Sequence, residues 1–140
     1  MLDTNVVLDW LLFDHPDGAI LSESMIAGEL RWIATAAMRD ELAHVLACGG
    51  LDIWRPDPPA LWAIWDRYCI EVPAPKPTGP AARLRCTDAD DQKFIDLAVA
   101  CGARWLLSRD RAVLKLARRL RERGVEVTQP GAWTPISAPD

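Results

Sequence analysis

The sequence predicts an α/β fold in three layers, with a mostly parallel central sheet flanked by helices. Short apolar stretches of strand length alternate with segments of helical periodicity along the chain. Glycine and proline residues stand at the boundaries between these segments. Alternating strands and helices favour parallel pairing, because a parallel pair needs a crossover connection, and the helices then cover both faces of the sheet.

The first half of the chain contains the predicted central helix and the elements around it. Met1 and Leu2 form a strand end. Thr35 is a suitable N-cap for the central helix, since its hydroxyl accepts a hydrogen bond from a free backbone N–H, and Gly49-Gly50 ends that helix. The predicted elements are, in order, a helix through Val6–Phe13, a helix over Ala19–Gly28, a strand over Leu30–Ala34, a helix over Ala36–Cys48, a helix ending near Tyr68 and a strand over Cys69–Val72.

A proline-rich stretch separates these elements from the second half. Residues 73–80 contain four prolines, which exclude a helix and predict an extended loop. The loop is too short to separate two domains, so we expect a single domain over residues 1–140, ending in a Pro-rich tail over 129–140. The remaining predicted elements are a helix over Ala89–Cys101, a strand over Arg104–Ser108, a helix over Asp110–Arg121 and a strand over Val125–Thr128.

The composition excludes several classes of protein. Of the 140 residues, 50% are hydrophobic, which is typical of a folded chain rather than a disordered one. No apolar run reaches the length of a membrane span and no leader peptide is visible, so we expect a cytoplasmic protein. The 4 cysteines show no CxxC spacing, so zinc or redox chemistry is not indicated and we expect reduced thiols.

Asp3 and Asp110 each follow a predicted strand. In a parallel α/β sheet, ligands bind at the carboxyl ends of the strands, which makes both carboxylates candidates for a site. Each residue also precedes a helix, where aspartate is favoured as an N-cap. For either residue alone, the two interpretations carry equal weight.

Glu41 and Asp91 lie on core-facing stripes of predicted helices. Glu41 shares its stripe with Met38 and Val45, and Asp91 shares another with Ile95. A carboxylate that faces a core is costly unless a metal ion or a basic partner compensates its charge. For Glu41, the alternative is a rotated helix that lets the side chain reach solvent.

Asp88 and Asp90 have a simpler explanation than Asp91. One of them caps the helix, and acidic residues in a first turn are favoured by the helix dipole. Asp91 is therefore the inward-facing candidate, and Asp88 is the reserve candidate.

Four acidic side chains are thus predicted to reach one edge of the sheet, where they repel each other unless cations are present. Oxygen ligands suit Mg²⁺ or Mn²⁺, and the absence of a His or Cys cluster argues against zinc. Such ions activate water and stabilise the oxygens of an in-line displacement at phosphorus. The predicted chemistry is hydrolysis of a phosphate ester. The sequence leaves open whether one metal ion or two would bind.

Several segments resemble motifs of the PIN-domain nucleases. Leu2-Asp3-Thr4-Asn5-Val6-Val7 resembles their opening motif, and Arg39-Asp40-Glu41-Leu42 resembles their central helix. The segment from Thr87 to Ala98, with Gly102 to Asp110 after it, resembles their C-terminal half with its paired acidic residues. The Asp-Asp-x-Lys-Phe motif of this segment and the Leu-Leu-Ser-x-Asp motif at its end resemble those of one branch of the family, the toxin components of bacterial toxin–antitoxin pairs. The likeness spans nearly the whole chain in the right order.

The resemblance implies a parallel sheet flanked by helices and cleavage of single-stranded RNA with Mg²⁺ or Mn²⁺. It also implies a small antitoxin protein as a partner and a homodimer. Thr4 or Asn5 would orient the first aspartate, and Ser108 would shape the pocket near Asp110. The residues that take the catalytic and metal-binding roles are Asp3, Glu41, Asp91 and Asp110, and their polar neighbours are Thr4, Asn5, Ser108 and Asp88.

The chain departs from the family pattern at its start and at Arg109. Family members usually have several apolar residues before the Asp-Thr-Asn motif, whereas only Met1 and Leu2 stand here. Either the natural start lies upstream or the sheet begins unusually short. Arg109 occupies a position where this branch often has a small residue, and its guanidinium either binds the scissile phosphate or faces solvent.

Basic residues crowd the segment from Arg104 to Arg123, although the net charge of the chain is −4. A basic face beside a metal site tracks an RNA backbone, but it is also typical of a solvated helix, and it suits the docking of an acidic antitoxin segment. These uses stay open. The residues proposed to bind substrate are Arg109, Arg111 and Lys115.

The expected function is a metal-dependent endoribonuclease that cleaves single-stranded RNA, as the toxin of a toxin–antitoxin pair. The alternative is a non-catalytic metal- or RNA-binding module with the same fold. A phosphoryl-transfer enzyme with Asp3 as nucleophile is disfavoured, because Asn5 interrupts the usual Asp-x-Asp pattern.

Overall fold

The computed structural model describes residues 1–76 and 84–134. Parallel strands alternate with helices along the chain, as predicted. Short 3₁₀ turns lie at Asp52–Trp54, Ala89–Asp91 and Pro130–Ala132. The helices and strands are α1 (Thr4–Leu11), α2 (Pro16–Ile26), β1 (Trp32–Ala34), α3 (Ala36–Ala47), α4 (Pro58–Tyr68), β2 (Cys69–Glu71), α5 (Gln92–Ala100), β3 (Trp105–Leu107), α6 (Arg111–Leu114), α7 (Ala117–Arg121) and β4 (Glu126–Thr128).

The strands form parallel pairs, which agrees with the predicted α/β class. Trp32 in β1 lies opposite Cys69 in β2, and Trp105 in β3 lies opposite Glu126 in β4. The continuous central sheet that the sequence predicts is not seen in the described residues, which contain two sheets of two strands each. Leu2 forms only an isolated bridge in these residues, so it adds no strand that would join the two pairs.

The first two residues nevertheless continue the ladder of β3. Leu2 forms a parallel bridge with Leu107. The Leu107 N–H donates to the Met1 carbonyl at 3.0 Å, and the Asp3 N–H donates to the Leu107 carbonyl at 3.0 Å. Asp3 is therefore fixed at the carboxyl end of β3, on the same edge as the residues that follow that strand.

The core between the helices and these strands is apolar and aromatic. Leu42 of α3, Leu97 of α5 and Leu106 of β3 are all fully buried. Trp32 packs edge-to-face against Trp65, with ring centroids 4.7 Å apart, an arrangement that aromatic quadrupoles favour. The tryptophan pair joins α4 to β1, and Leu42, Leu97 and Leu106 belong to the same buried cluster, so one core underlies α3, α4, α5 and the strands.

The largest local difference from prediction lies after Asp110, where the sequence predicts a continuous helix to Arg121. The structure has α6 and α7 instead, separated at Lys115 and Leu116. Leu116 leaves helical geometry at φ −90° and ψ 1°. Its N–H bonds to the Val113 carbonyl at 3.0 Å, three residues back, which tightens the chain and breaks the helix.

The Pro-rich segments are described only in part. Of the predicted loop over 73–80, residues 73–76 have neither helix nor strand, and the rest lies outside the described residues. The tail over 129–140 is described up to Thr134, and Trp133 within it is buried against the core. Within residues 1–76 and 84–134, no helix combines the length and the hydropathy needed to cross a membrane. The single domain expected over 1–140 stays a prediction.

Gly18 sits where α1 and α2 pack most closely. A Cβ atom at this position would lie 2.8 Å from the Cα of Trp10, which is backbone and has no easy way to move. We expect Gly18→Ala to lower the free energy of unfolding by about 1–3 kcal/mol, the usual cost of overpacking. Urea unfolding measures this change. Gly50→Ala is the matched control, since a Cβ atom there would meet no other atom within 4 Å, and equal losses in both variants would contradict the close-packing argument.

Candidate metal centre

Three carboxylates converge beyond the carboxyl end of β3. Oxygens of Asp88, Asp91 and Asp110 all lie within 4.8 Å of one another. Asp88 precedes the 3₁₀ turn that leads into α5, Asp91 ends that turn, and Asp110 precedes α6. The cluster is therefore built where two helices begin, and backbone N–H groups at helix starts favour negative charge.

Asp88 and Asp110 also cap the elements that follow them. The Asp90 N–H donates to Asp88 Oδ1 at 2.9 Å, and the Ala112 N–H donates to Asp110 Oδ1 at 2.9 Å. Each cap uses one oxygen of its carboxylate, so the N-cap interpretation of Asp110 is confirmed and does not conflict with its predicted role in a site. The cap fixes the rotamer, and the second oxygen stays available to the cluster.

Asp91 is the buried member of the cluster. The residue is 7% exposed, and its Oδ2 atom has no hydrogen-bond partner. Burial, followed by a hydrogen bond with the Asp110 carboxylate and by the charge of Asp3, raises the pKa of Asp91 to about 8. An orphaned carboxylate oxygen inside a cluster of acids is a position that a cation would satisfy.

Ser108 connects Asp3 to the cluster. The Ser108 hydroxyl, which is fully buried, donates to Asp3 Oδ2 at 2.6 Å and accepts from the Asp110 N–H at 3.0 Å. Burial raises the pKa of Asp3, the Ser108 hydrogen bond opposes that shift in part, and the charges of Asp110 and Glu41 add to it. The sequence assigns Ser108 to the pocket near Asp110, and the structure shows that it orients both aspartates.

Glu41 lies outside the cluster. The Thr4 hydroxyl donates to Glu41 Oε2 at 2.6 Å, whereas the Thr4 backbone N–H bonds to the Asp3 carboxylate and lowers its pKa. Lys93 Nζ lies 2.9 Å from Glu41 Oε1. The basic partner that a core-facing glutamate requires is therefore Lys93, a residue that the sequence motifs contain but whose role they do not reveal.

Gln92 holds the segment that leads to Asp88. Its Oε1 atom accepts from the Cys86 N–H at 2.7 Å, and its Nε2 atom donates to the Leu84 carbonyl at 2.6 Å. The Cys86 thiol also reaches the Ala112 carbonyl at 3.5 Å. The segment is thereby tied to α5 and α6, which places Asp88 beside the other two carboxylates.

The residues predicted to bind substrate surround the site in different ways. Arg109 Nη2 donates to the buried Asp9 at 2.6 Å, and the Arg109 N–H donates to Asn5 Oδ1 at 3.3 Å. These bonds attach the loop after β3 to α1. Arg111 and Lys115 are exposed and follow Asp110 along the chain.

A family model described as a PIN domain matches residues 1–112. The chain belongs to the PIN-domain family. PIN domains are generally nucleases that bind divalent metal ions through acidic residues. No curated protein and no solved structure matches the chain.

The residues of this PIN domain fit a divalent ion. The donors that converge are carboxylate oxygens, which Mg²⁺ and Mn²⁺ prefer, and one of them is buried without a partner. Of the four acidic residues singled out in the sequence, the structure joins Asp91 and Asp110 directly and holds Asp3 next to them through Ser108. Asp88, the reserve candidate, completes the cluster, whereas Glu41 does not enter it.

The pKa of Asp91 makes the stability of the metal-free protein depend on pH. The folded protein keeps a proton on this group up to about pH 8, whereas in the unfolded chain the group ionises near its ordinary value of 3.8. The stability that Asp91 contributes to the folded protein is therefore fully present at low pH and is lost as the pH rises towards about 8. We expect urea unfolding in EDTA to show falling stability from pH 5 to pH 8, and Asp91→Asn to flatten that slope. Asp90→Asn, at the exposed neighbouring residue, is the control, and an unchanged slope in Asp91→Asn would contradict the assignment.

Proposed function

We propose that this PIN domain is a metal-dependent endoribonuclease that cleaves single-stranded RNA by attack of water on the phosphodiester. The observation that carries the proposal is the cluster of Asp88, Asp91 and Asp110, with the unpartnered Asp91 oxygen at its centre. Burying an unpartnered carboxylate oxygen beside two other carboxylates is costly, and a bound cation would offset that cost. Membership in a family of nucleases supports the reaction class.

The ion would be held by Asp91 and Asp110, with Asp88 and Asp3 at its sides. When bound, Mg²⁺ or Mn²⁺ supplies a Lewis acid that acidifies water and offsets charge on the phosphate. The Ser108 hydroxyl fixes the position of Asp3 relative to Asp110, because it bonds to the Asp3 carboxylate and to the Asp110 N–H. The proton that Asp91 carries at neutral pH must leave when the ion arrives, so metal binding and proton release are coupled.

The substrate phosphates would contact the basic residues after β3. Arg111 and Lys115 are exposed next to the cluster and are free of the Asp9 ion pair that engages Arg109. The Arg109 side chain is 45% exposed, and a guanidinium has further N–H donors for a phosphate. Contacts of this kind follow the backbone of RNA and do not read its bases.

The biological role rests on the motifs. We propose that the chain is the toxin of a toxin–antitoxin pair in the cytoplasm, that a small antitoxin protein neutralises it, and that it forms a homodimer. The Asp-Asp-x-Lys-Phe wording around Lys93 and the Leu-Leu-Ser-x-Asp ending at Asp110 support the toxin role. We also infer the three-layer fold of the family, with Met1 and Leu2 between the two strand pairs, and the bridge from Leu2 to β3 supports it.

Cleavage of fluorescent single-stranded RNA with Mn²⁺, Mg²⁺ or EDTA tests the proposed reaction. We expect metal-dependent cleavage by the wild type and a loss of at least about a hundredfold in Asp91→Asn, since replacing even an outer-shell partner of a metal costs about 10–100-fold and Asp91 would bind the ion directly. Asp90→Asn replaces an exposed neighbour and should keep wild-type activity. A folded wild type that binds RNA and metal but cuts no RNA would favour the non-catalytic binding module instead.

The salt dependence of RNA binding tests the basic contacts. On single strands each phosphate contact contributes about 0.7 to the slope of log K against log salt. We expect Arg111→Gln to reduce that slope by about 0.7, measured by fluorescence anisotropy in EDTA with an uncleaved RNA. Arg31→Gln is the control, because Arg31 is exposed at the amino end of β1, away from the site. Equal slopes in wild type and Arg111→Gln would remove Arg111 from the RNA path.

A further inference from the structure

Glu41 has the contacts of a carboxylate whose charge is already compensated. Thr4 Oγ1 donates to one oxygen at 2.6 Å, and the Lys93 ammonium lies 2.9 Å from the other. Both oxygens are therefore engaged by groups of the protein itself. The glutamate has no need of an ion to offset its burial.

The Lys93 ammonium is held in place by more than this ion pair. It also donates to the Asp90 carbonyl at 2.8 Å, and it lies 5.3 Å from the centre of the Phe94 ring. The side chains of Lys93 and Glu41 are 30% and 27% exposed, so solvent screens the pair only in part. Lys93 thus joins α5 to α3 through a fixed positive charge beside the metal centre.

The carboxylates of the cluster lack such a partner. Within residues 1–76 and 84–134, no ion pair engages Asp88, Asp91 or Asp110. The acidic groups near the site therefore divide into a neutralised pair at Glu41 and an uncompensated cluster. A cation is needed at the cluster, and a second cation near Glu41 would meet the ammonium of Lys93.

We propose that Lys93 is a built-in cation that holds Glu41 out of the metal centre, so that the site takes one divalent ion and not two. The inference rests on the proposed metal-dependent function. A centre with two ions about 3.5–4 Å apart needs carboxylates on both sides of the pair. Here the group that would serve the second ion, Glu41, is bound to Lys93 and Thr4 instead. Lys93 is therefore a positioning residue that sets the number of ions.

Titration of the metal-free protein with Mn²⁺ alone, followed by calorimetry, tests this inference without any RNA. We expect one Mn²⁺ per chain in the wild type and a second, weaker site in Lys93→Met, which keeps the side-chain stem and removes the charge. Electron paramagnetic resonance should show an isolated ion in the wild type and a spin-coupled pair in the variant. Lys76→Met replaces an exposed lysine and should bind one ion.

Glu41→Gln provides an independent measurement, which stands even when Lys93→Met does not fold. Because Glu41 is not a ligand in this proposal, its variant should bind Mn²⁺ within about threefold of the wild-type affinity. Two ions per wild-type chain, or a loss of tenfold or more in Glu41→Gln, would overturn the inference. One bound ion with no RNA cleavage would disprove the proposed function and leave the one-ion inference intact. Two bound ions with RNA cleavage would support the proposed function and overturn the one-ion inference.

Discussion

Mutual repulsion among carboxylates at one edge of the strands governs the local structure around the site. Asp3, Asp91 and Asp110 come from separated parts of the chain, and each is placed by backbone that leaves a strand or enters a helix. The fold compensates their proximity in different ways. Ser108 bonds two of them, a proton remains on Asp91, and the start of α6 faces Asp110. Without these compensations, the repulsion among the carboxylates would be larger.

The same repulsion distinguishes the Glu41–Lys93 ion pair, whose charges cancel, from the cluster of Asp88, Asp91 and Asp110, which has no ion pair among the described residues. Lys93 is tied to Glu41 and to the backbone of the 3₁₀ turn, so it draws α3 and α5 together on one side. On the other side, Gln92 fixes the segment that carries Asp88. Gln92 and Lys93, which are neighbours in α5, therefore bind two different segments around the site. Phe94, the next residue of α5, is buried in the core and holds the helix in place.

How much of the site the sequence predicts depends on whether the signal is local. Asp3 and Asp110 are found by their position after strands, and Asp91 by its place on a buried stripe, which are rules that need only neighbouring residues. The partners Lys93 and Gln92 are not found, because their contacts depend on which helices meet in space. The requirement of Glu41 for a basic partner is a valid signal, but several lysines and arginines of the sequence satisfy it equally. The continuity of the central sheet stays a prediction for a similar reason, since strand pairing is a long-range property and the described residues contain two pairs of strands.

The proton on Asp91 explains how such a site forms before any ion binds. A carboxyl that is buried with a pKa of about 8 takes up a proton on folding at neutral pH, so its burial does not carry the full cost of a buried charge. A divalent ion at the proposed site would have to displace this proton, and Asp91 would offer it a carboxylate already oriented by its surroundings. The fold would therefore present a preorganised ligand to the ion.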